Sequence, residues 1–354
     1  MAFDNGTASR KWRFEGAADR MNKETEHQMF VASFGQYNGD IIGANIVILE
    51  MLTGPHIVDE CKAKGAKVIY EGDDAVIDSY GKERKNLQQL EGGLKEKAKE
   101  TIARCDAVTV TNKLLAENYA RFTKKPIYII PNYMDYQWYS KEKLKIERNT
   151  NEIRIGWFGS KGHFEDLKML LPAIKKVLEK YPQAKLVYCG YGGMSSSNKV
   201  ATEVGYGEDV FKDIPRNRRE LYQPVKYDYW PHKHQLLDFD IGLAPLVDDY
   251  FNHCKSHIKW MEYSALRIPV ICSPTTYTES PYGKDYAPAV KDGKTALVAS
   301  TEEEWITALS KLIEDKELRQ KMAKDAQKEV EKTWDLDAHW NEFINVYQEV
   351  LNSK

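Results

Sequence analysis

The sequence is poor in cysteine, with five in 354 residues: Cys61, Cys105, Cys189, Cys254 and Cys272. Their number is odd and their spacing irregular, which excludes a disulfide framework and a cysteine-ligated metal, so reduced thiols in a cytoplasmic protein are expected. Long apolar runs are missing too, since none approaches the roughly eighteen residues of a membrane span. The opening MAFDNGTASRKWRF lacks the apolar stretch of a secretory signal. Nor is there an excess of one charge. Lys and Arg number 51 against 53 Asp and Glu, a formal net charge of −2. No bulk field therefore draws the chain to nucleic acid or to an acidic membrane, although a local basic groove stays open. His232 and His234 stand two apart without further ligands nearby; they are expected at the solvent, and no metal site is expected.

What the chain does contain is alternation. Short apolar runs alternate with helical stretches along its whole length, the pattern of an α/β protein with parallel sheets. The length suits two domains, each with its own core. A polar, Lys-rich segment without apolar periodicity divides the chain. The expected domains are 1–134 and 153–335, with a linker at 135–152 and a closing helix at 336–354. Lys82–Lys97 reads as a charged, exposed stretch.

The most informative stretch runs from Asp238 to Pro274, DFDIGLAPLVDDYFNHCKSHIKWMEYSALRIPVICSP. It reads as a buried strand (Ile241–Leu246), a polar loop, a helix opening near Lys255 or Ser256, and a second strand (Pro269–Cys272). Lys255, Lys259 and Glu262 fall at i, i+4 and i+7 and share one helix face. A helix N-terminus at the carboxyl edge of a parallel sheet is an anion site. Two ammonium groups and one carboxylate suit a nucleotide: cations and amides for phosphate, the carboxylate for ribose hydroxyls. The same spacing also describes a solvated Lys/Glu face. Upstream, IRIGWFGSKGHFEDLKMLLPAIKKVLEKYP is a strand, a Gly/Ser loop and an amphipathic helix. Gly159 permits close approach, and Ser160 and Lys161 face an anion there. The G-x-G-G after Cys189 lacks the spacing of a dinucleotide loop.

Two places in the first half are candidates to face a ligand. Ser9, Arg10 and Arg13 follow the first strand, where a Rossmann-like loop faces a cleft; a surface loop with solvated arginines is the other reading. Asp73 and Asp74 follow the strand Lys67–Glu71. They can hold hydroxyls of a ligand, with Asp74 as a base, or serve as turn-formers.

Several of these segments resemble, in the same order, the retaining group 1 (family 4) glycosyltransferases of GT-B architecture. MEYSALRIPVICSP resembles the second half of that family's two-glutamate motif and puts Glu262 at the ribose-binding glutamate. The first glutamate's position is Cys254, and Arg267 replaces a glycine. FN-x-CKS-x-x-K-x-x-EY and W-x-GS-x-x-H resemble a divergent branch, and the latter adds His163. DAVTVTNKLLAENY, IYIIPNYMD and VKDGKTALVA resemble further family elements. The resemblance implies two Rossmann-like domains with parallel sheets facing an inter-domain cleft, the last helix packing back on the first domain. It implies transfer of a sugar from a nucleotide-diphosphate sugar to an acceptor hydroxyl, with retention and without metal or other cofactor. Lys259, Glu262 and His163 are then the catalytic candidates. Gly159, Ser160, Lys161, Asn252, Cys254, Lys255 and Ser256 hold the donor, and Ser9, Arg10, Arg13, Asp73 and Asp74 face the acceptor. The acceptor is a glycan, a protein or a modified nucleic acid. The loss of the first glutamate leaves a non-catalytic binding subunit as an alternative, and a nucleotide-sugar epimerase as another.

Overall fold

The computed structural model describes residues 1–4, 9–33, 43–50, 54–75, 77, 93–139, 144, 146–147, 151–159, 163–190 and 210–353. Ser160, Lys161 and most of the stretch 82–97 lie outside these residues.

The apolar runs form two six-stranded sheets, parallel throughout. The first contains β1 (Ala2–Asp4), β2 (Val31–Ser33), β3 (Ile46–Glu50), β4 (Lys67–Gly72), β5 (Ala107–Val110) and β6 (Ile127–Ile129), in the order 2-1-3-4-5-6. The second contains β7 (Ile153–Phe158), β8 (Ala184–Cys189), β9 (Arg219–Tyr222), β10 (Ile241–Ala244), β11 (Val270–Cys272) and β12 (Leu297–Val298), in the order 12-11-10-7-8-9. That is the doubly wound Rossmann order, and it reverses between β7 and β10, where such sheets bind ligands. Sheets covered on both faces need strands that are apolar throughout; β5 and β10 accordingly are buried along their whole length.

The helices are α1 (Gly16–Glu24), α2 (Pro55–Ala63), α3 (Gly93–Arg104), α4 (Lys113–Tyr119), α5 (Phe164–Lys180), α6 (Trp230–Leu237), α7 (Tyr250–His253), α8 (Ile258–Ala265), α9 (Glu302–Glu314), α10 (Lys316–Thr333) and α11 (Leu336–Asn352). A π-helical turn, Arg10–Glu15, leads into α1. In α5 the stripe expected at Leu167, Leu170, Leu171, Ile174 and Val177 is present: all are buried except Leu171, which is half-buried.

The key helix begins at Ile258, later than the spacing suggested. Asp249 caps the short α7 by accepting from the Asn252 amide, and Lys255 N still bonds back to Asn252 O. The chain must finish that turn before α8 can start.

The two domains share apolar cores. Phe251 and Cys254 pack into a cluster with Val110, Leu115 and Tyr119 of the first domain. A second cluster runs from Trp12 and Phe14 through Tyr139 to Trp230 and Trp260. Helix α11 packs against α1. The two chain crossings between the domains lie side by side: Met134 N donates to Trp334 O at 2.7 Å, and Leu336 N to Met134 O at 2.9 Å. Arg20 clamps both, reaching Asp135 at 2.8 Å and Asp337 at 2.6 Å. Among the described residues, no helix is long and apolar enough to cross a membrane.

Candidate active site

A cavity of about 600 Å³ opens between the domains. Its lining comes from segments that follow the carboxyl ends of strands: Ser9 after β1, Asp73 and Asp74 after β4, Asn132 after β6, Gly159 and His163 after β7, Gly190 after β8, Leu246 after β10 and Tyr277 after β11. Lys255, Ser256, Ile258, Lys259 and Glu262 complete one wall, and Trp12, Tyr227 and Trp230 another.

Lys259 stands on the first turn of α8. Its ammonium donates to Phe158 O and lies 4.1 Å from the Phe158 ring centroid, a cation–π contact. Burial pulls it down to about 8, Lys255 adds to that, and Glu262 and Asp166 oppose it. Glu262 is 3% exposed. Its Oε1 accepts from Tyr139 Oη at 2.9 Å and from Trp230 Nε1 at 3.3 Å. Burial pushes this carboxyl up to about 7, against the pull of Lys259 and the two donors.

His163 turns Nδ1 to Asp166 Oδ2, 2.8 Å away. Burial carries the imidazole down to about 4, with Lys259 and Lys255 adding to the effect, so it is neutral at physiological pH despite Asp166. A neutral imidazole beside a carboxylate donates Nδ1–H, which leaves Nε2 as an acceptor. Asp166 also accepts from Val247 N at 2.8 Å and Asn252 Nδ2 at 3.0 Å. It thereby ties α5, the loop after β10 and α7 into one frame. Glycine is required nearby. Gly190 has φ +93°, and a Cβ there would stand 2.3 Å from Gly159 O.

The opposite wall is acidic. Ser9 Oγ donates to Asp73 Oδ2 at 2.7 Å. Burial, then Asp74 and Glu50, push the Asp73 carboxyl up to about 8, while the Ser9 bond opposes them. Asp74 lies 3.8 Å from the Lys255 ammonium, and Asn132 Nδ2 donates to Ser256 Oγ at 2.7 Å, so the walls touch across the cavity.

Comparison with known proteins bears on the fold. The sequence matches no family model and no curated protein. Among solved structures, an alpha-glucosyltransferase in complex with UDP and a 13-mer DNA containing an HMU base is 13% identical with TM-score 0.65, over 99% of this chain and 98% of that one. The chain has the GT-B fold. A putative UDP-N-acetylglucosamine 2-epimerase from Listeria monocytogenes is 12% identical with TM-score 0.55, over 97% and 94% of the two chains. A mutant of S. aureus TarM in complex with fondaparinux, alpha-GlcNAc-glycerol and UDP is 13% identical with TM-score 0.57; 87% of this chain matches, spanning about 55% of that protein.

Within this GT-B cleft, nine sequence candidates meet at one cavity: Ser9, Asp73, Asp74, Gly159, His163, Lys255, Ser256, Lys259 and Glu262. Four described candidates do not line it. Cys254 is fully buried among first-domain apolar side chains, and burial pushes its thiol up to about 12. Asn252 is buried and bound to Asp166 and Val247 O. Arg13 is consumed in a buried pair with Glu71 at 2.9 Å, and its other bonds hold Ile130 O, Pro131 O and Asn132. Arg10 pairs with Glu15. His234, expected at the solvent, is fully buried against Phe158 and Trp230. Tyr139 and Trp230, which hold Glu262, escaped notice: the first sits in a polar stretch read as linker, the second in a segment read for its histidines. Among the described residues, no three His, Cys, Asp or Glu side chains are grouped to hold a metal ion.

Proposed function

We propose that the cleft binds a nucleotide-diphosphate sugar and passes its sugar, with retention, to an acceptor hydroxyl. The facing of cations and carboxyl groups across one cavity carries this reading: Lys255, Lys259 and the start of α8 on one wall, Asp73 and Asp74 on the other. A departing diphosphate gains negative charge as the sugar–oxygen bond breaks. Ammonium groups and helix amides fixed in advance stabilise that charge without reorganisation. Lys259 and Lys255 supply it here, with Ser160 and Lys161, which follow Gly159 in sequence, and Ser256 at the approach to α8. Glu262 accepts from ribose hydroxyls, and His163 Nε2 accepts from a hydroxyl of the donor sugar. Asp74 and Asp73 orient the acceptor. Its oxygen bonds to the anomeric carbon on the face the phosphate leaves, and its proton passes to the leaving phosphate oxygen. With cations on the protein, the reaction proceeds without a divalent metal.

A hydroxylated base in DNA is a second reading of the acceptor, favoured by the near-complete overlap with the alpha-glucosyltransferase bound to modified DNA. Duplex binding that weakens steeply with salt distinguishes it from a glycan or protein acceptor.

Thermal-shift titration with UDP, GDP, ADP and dTDP, with and without EDTA, tests the donor site, because a ligand that binds only the folded state raises its stability. One diphosphate should shift the transition with or without chelator. Lys259→Ala and Glu262→Ala should each weaken its binding by about 30- to 100-fold, the loss of a hydrogen bond to a charged group. Undiminished affinity in both variants would sink the assignment.

A further inference from the structure

We infer that Tyr139, on the segment joining the two domains, is a positioning residue that turns one oxygen of Glu262 into the cavity and makes its grip on a nucleotide depend on how the domains are set. The inference rests on the nucleotide reading of the cavity.

Among the described residues, the hydrogen bonds to Glu262 fall on Oε1, from Tyr139 and Trp230. Oε2 is left for a ligand. A hydroxyl has one proton, and Tyr139 gives its own to the carboxylate. Its oxygen therefore accepts from His234 Nδ1, 3.1 Å away. His234 is fully buried, and its Nε2 has no partner among the described residues. Leaving a buried ring nitrogen unpaired is unfavourable, and the bond from Nδ1 to Tyr139 is what the imidazole does here. The Tyr139 ring is wedged between both domains: it meets His234 of the second domain edge-on at 6.3 Å and Trp12 of the first domain at 6.5 Å. Its own N–H bonds to Asp135 O at 2.7 Å, beside the Arg20 clamp. A rotation that opens the cleft withdraws the hydroxyl and leaves Glu262 only the longer Trp230 bond. Donor binding and domain closure are thus linked, each favouring the other.

The groups facing Glu262 are Lys259 and Tyr263 on its own helix, Tyr139 on the crossing, Tyr227 and His234 at α6, and Tyr277 after β11. Burial raises all four tyrosines well above their ordinary range and holds His234 well below its own, so these stay neutral. Lys259 is the ionised neighbour.

The test is calorimetric titration of UDP, GDP, ADP and dTDP between pH 5.5 and 9. Wild-type affinity should fall below about pH 7 as Glu262 takes up a proton, and above about 8 as Lys259 loses one. Tyr139→Phe removes a donor that favours the ionised carboxylate. It should weaken binding about tenfold at pH 7 and move the acid limb to higher pH, leaving the alkaline limb in place. His234→Leu should move the acid limb the same way by less, and His234→Asn, which keeps a donor near Nδ1, should restore it. These two decide the matter if Tyr139→Phe fails to fold. Wild-type affinity and acid limb in Tyr139→Phe, with weak binding in Glu262→Gln, overturn this inference alone. Undiminished binding in Glu262→Gln, or no binding of any diphosphate to wild type, overturns the nucleotide reading and this inference with it.

Discussion

The two walls of the cavity are built by opposite means. The second-domain wall takes its two lysines and Glu262 from one short stretch, with α8 as a rigid mount, and Lys259 is fixed by the carbonyl of the neighbouring strand. The first-domain wall is assembled from three strand ends far apart in sequence, and its acidic groups are the carboxyls of Asp73 and Asp74. Behind the first wall lies a buried ion pair, Arg13–Glu71, extended by Thr109 Oγ1 donating to Glu71 at 2.6 Å. Behind the second lie neutral aromatic rings and imidazoles. On the proposed reading, the wall that meets the diphosphate is encoded by local spacing, while the wall that meets the acceptor hydroxyl is supported by tertiary pairs.

The contrast can be broken from behind the acceptor wall first. Arg13→Met leaves Glu71 buried without its cation and should lower stability by about 3–5 kcal/mol, read as a shifted urea midpoint. A fall much smaller than this would mean that the wall does not depend on the pair. A smaller effect, confined to chemistry, is expected at the wall itself. Asp74→Asn should reduce turnover by about 100-fold, while diphosphate affinity measured by calorimetry stays near wild type. A parallel loss of affinity would place Asp74 on the donor side. The smallest effect sharpens the other wall's edge. His253, the last residue of α7, bonds to Asp248 and Glu279, each at 2.6 Å. Against partial burial, those carboxylates raise its proton affinity above the ordinary value. Its contribution is therefore present below about pH 6.5, the unfolded value, and lost as pH rises through the raised folded value. These groups are partly exposed, so His253→Gln should cost under about 1 kcal/mol at pH 5.5 and nothing at pH 9, seen as melting curves that converge with rising pH.

The second-domain wall was legible because helical spacing alone aligns Lys259 with Glu262, and strand, loop and helix follow in order at Gly159 and His163. Cys254 was misplaced for a reason of geometry. One extra helical turn, capped by Asp249, swings it into the first domain's core, and periodicity does not register a four-residue helix. Tyr139 was invisible for the opposite reason. Its segment has the composition of a linker, yet it is held by backbone bonds to Asp135 and by rings from two other elements, none of which has a local signature. Arg13 looked like a site residue because an arginine after a first strand is equally suited to a cleft or to a buried carboxylate. Only the fold, by bringing Glu71 beside it, decides.

The paired crossings have a mechanical meaning. A single strand between two bodies acts as a tether and allows twist, tilt and slide together. Here two strands pass between the domains in contact, hydrogen-bonded to each other and pinned by Arg20. Such a joint resists sliding and twisting more than a single tether does. It holds Lys255 to Asp74, Asn132 to Ser256 and Tyr139 to Glu262 in one register.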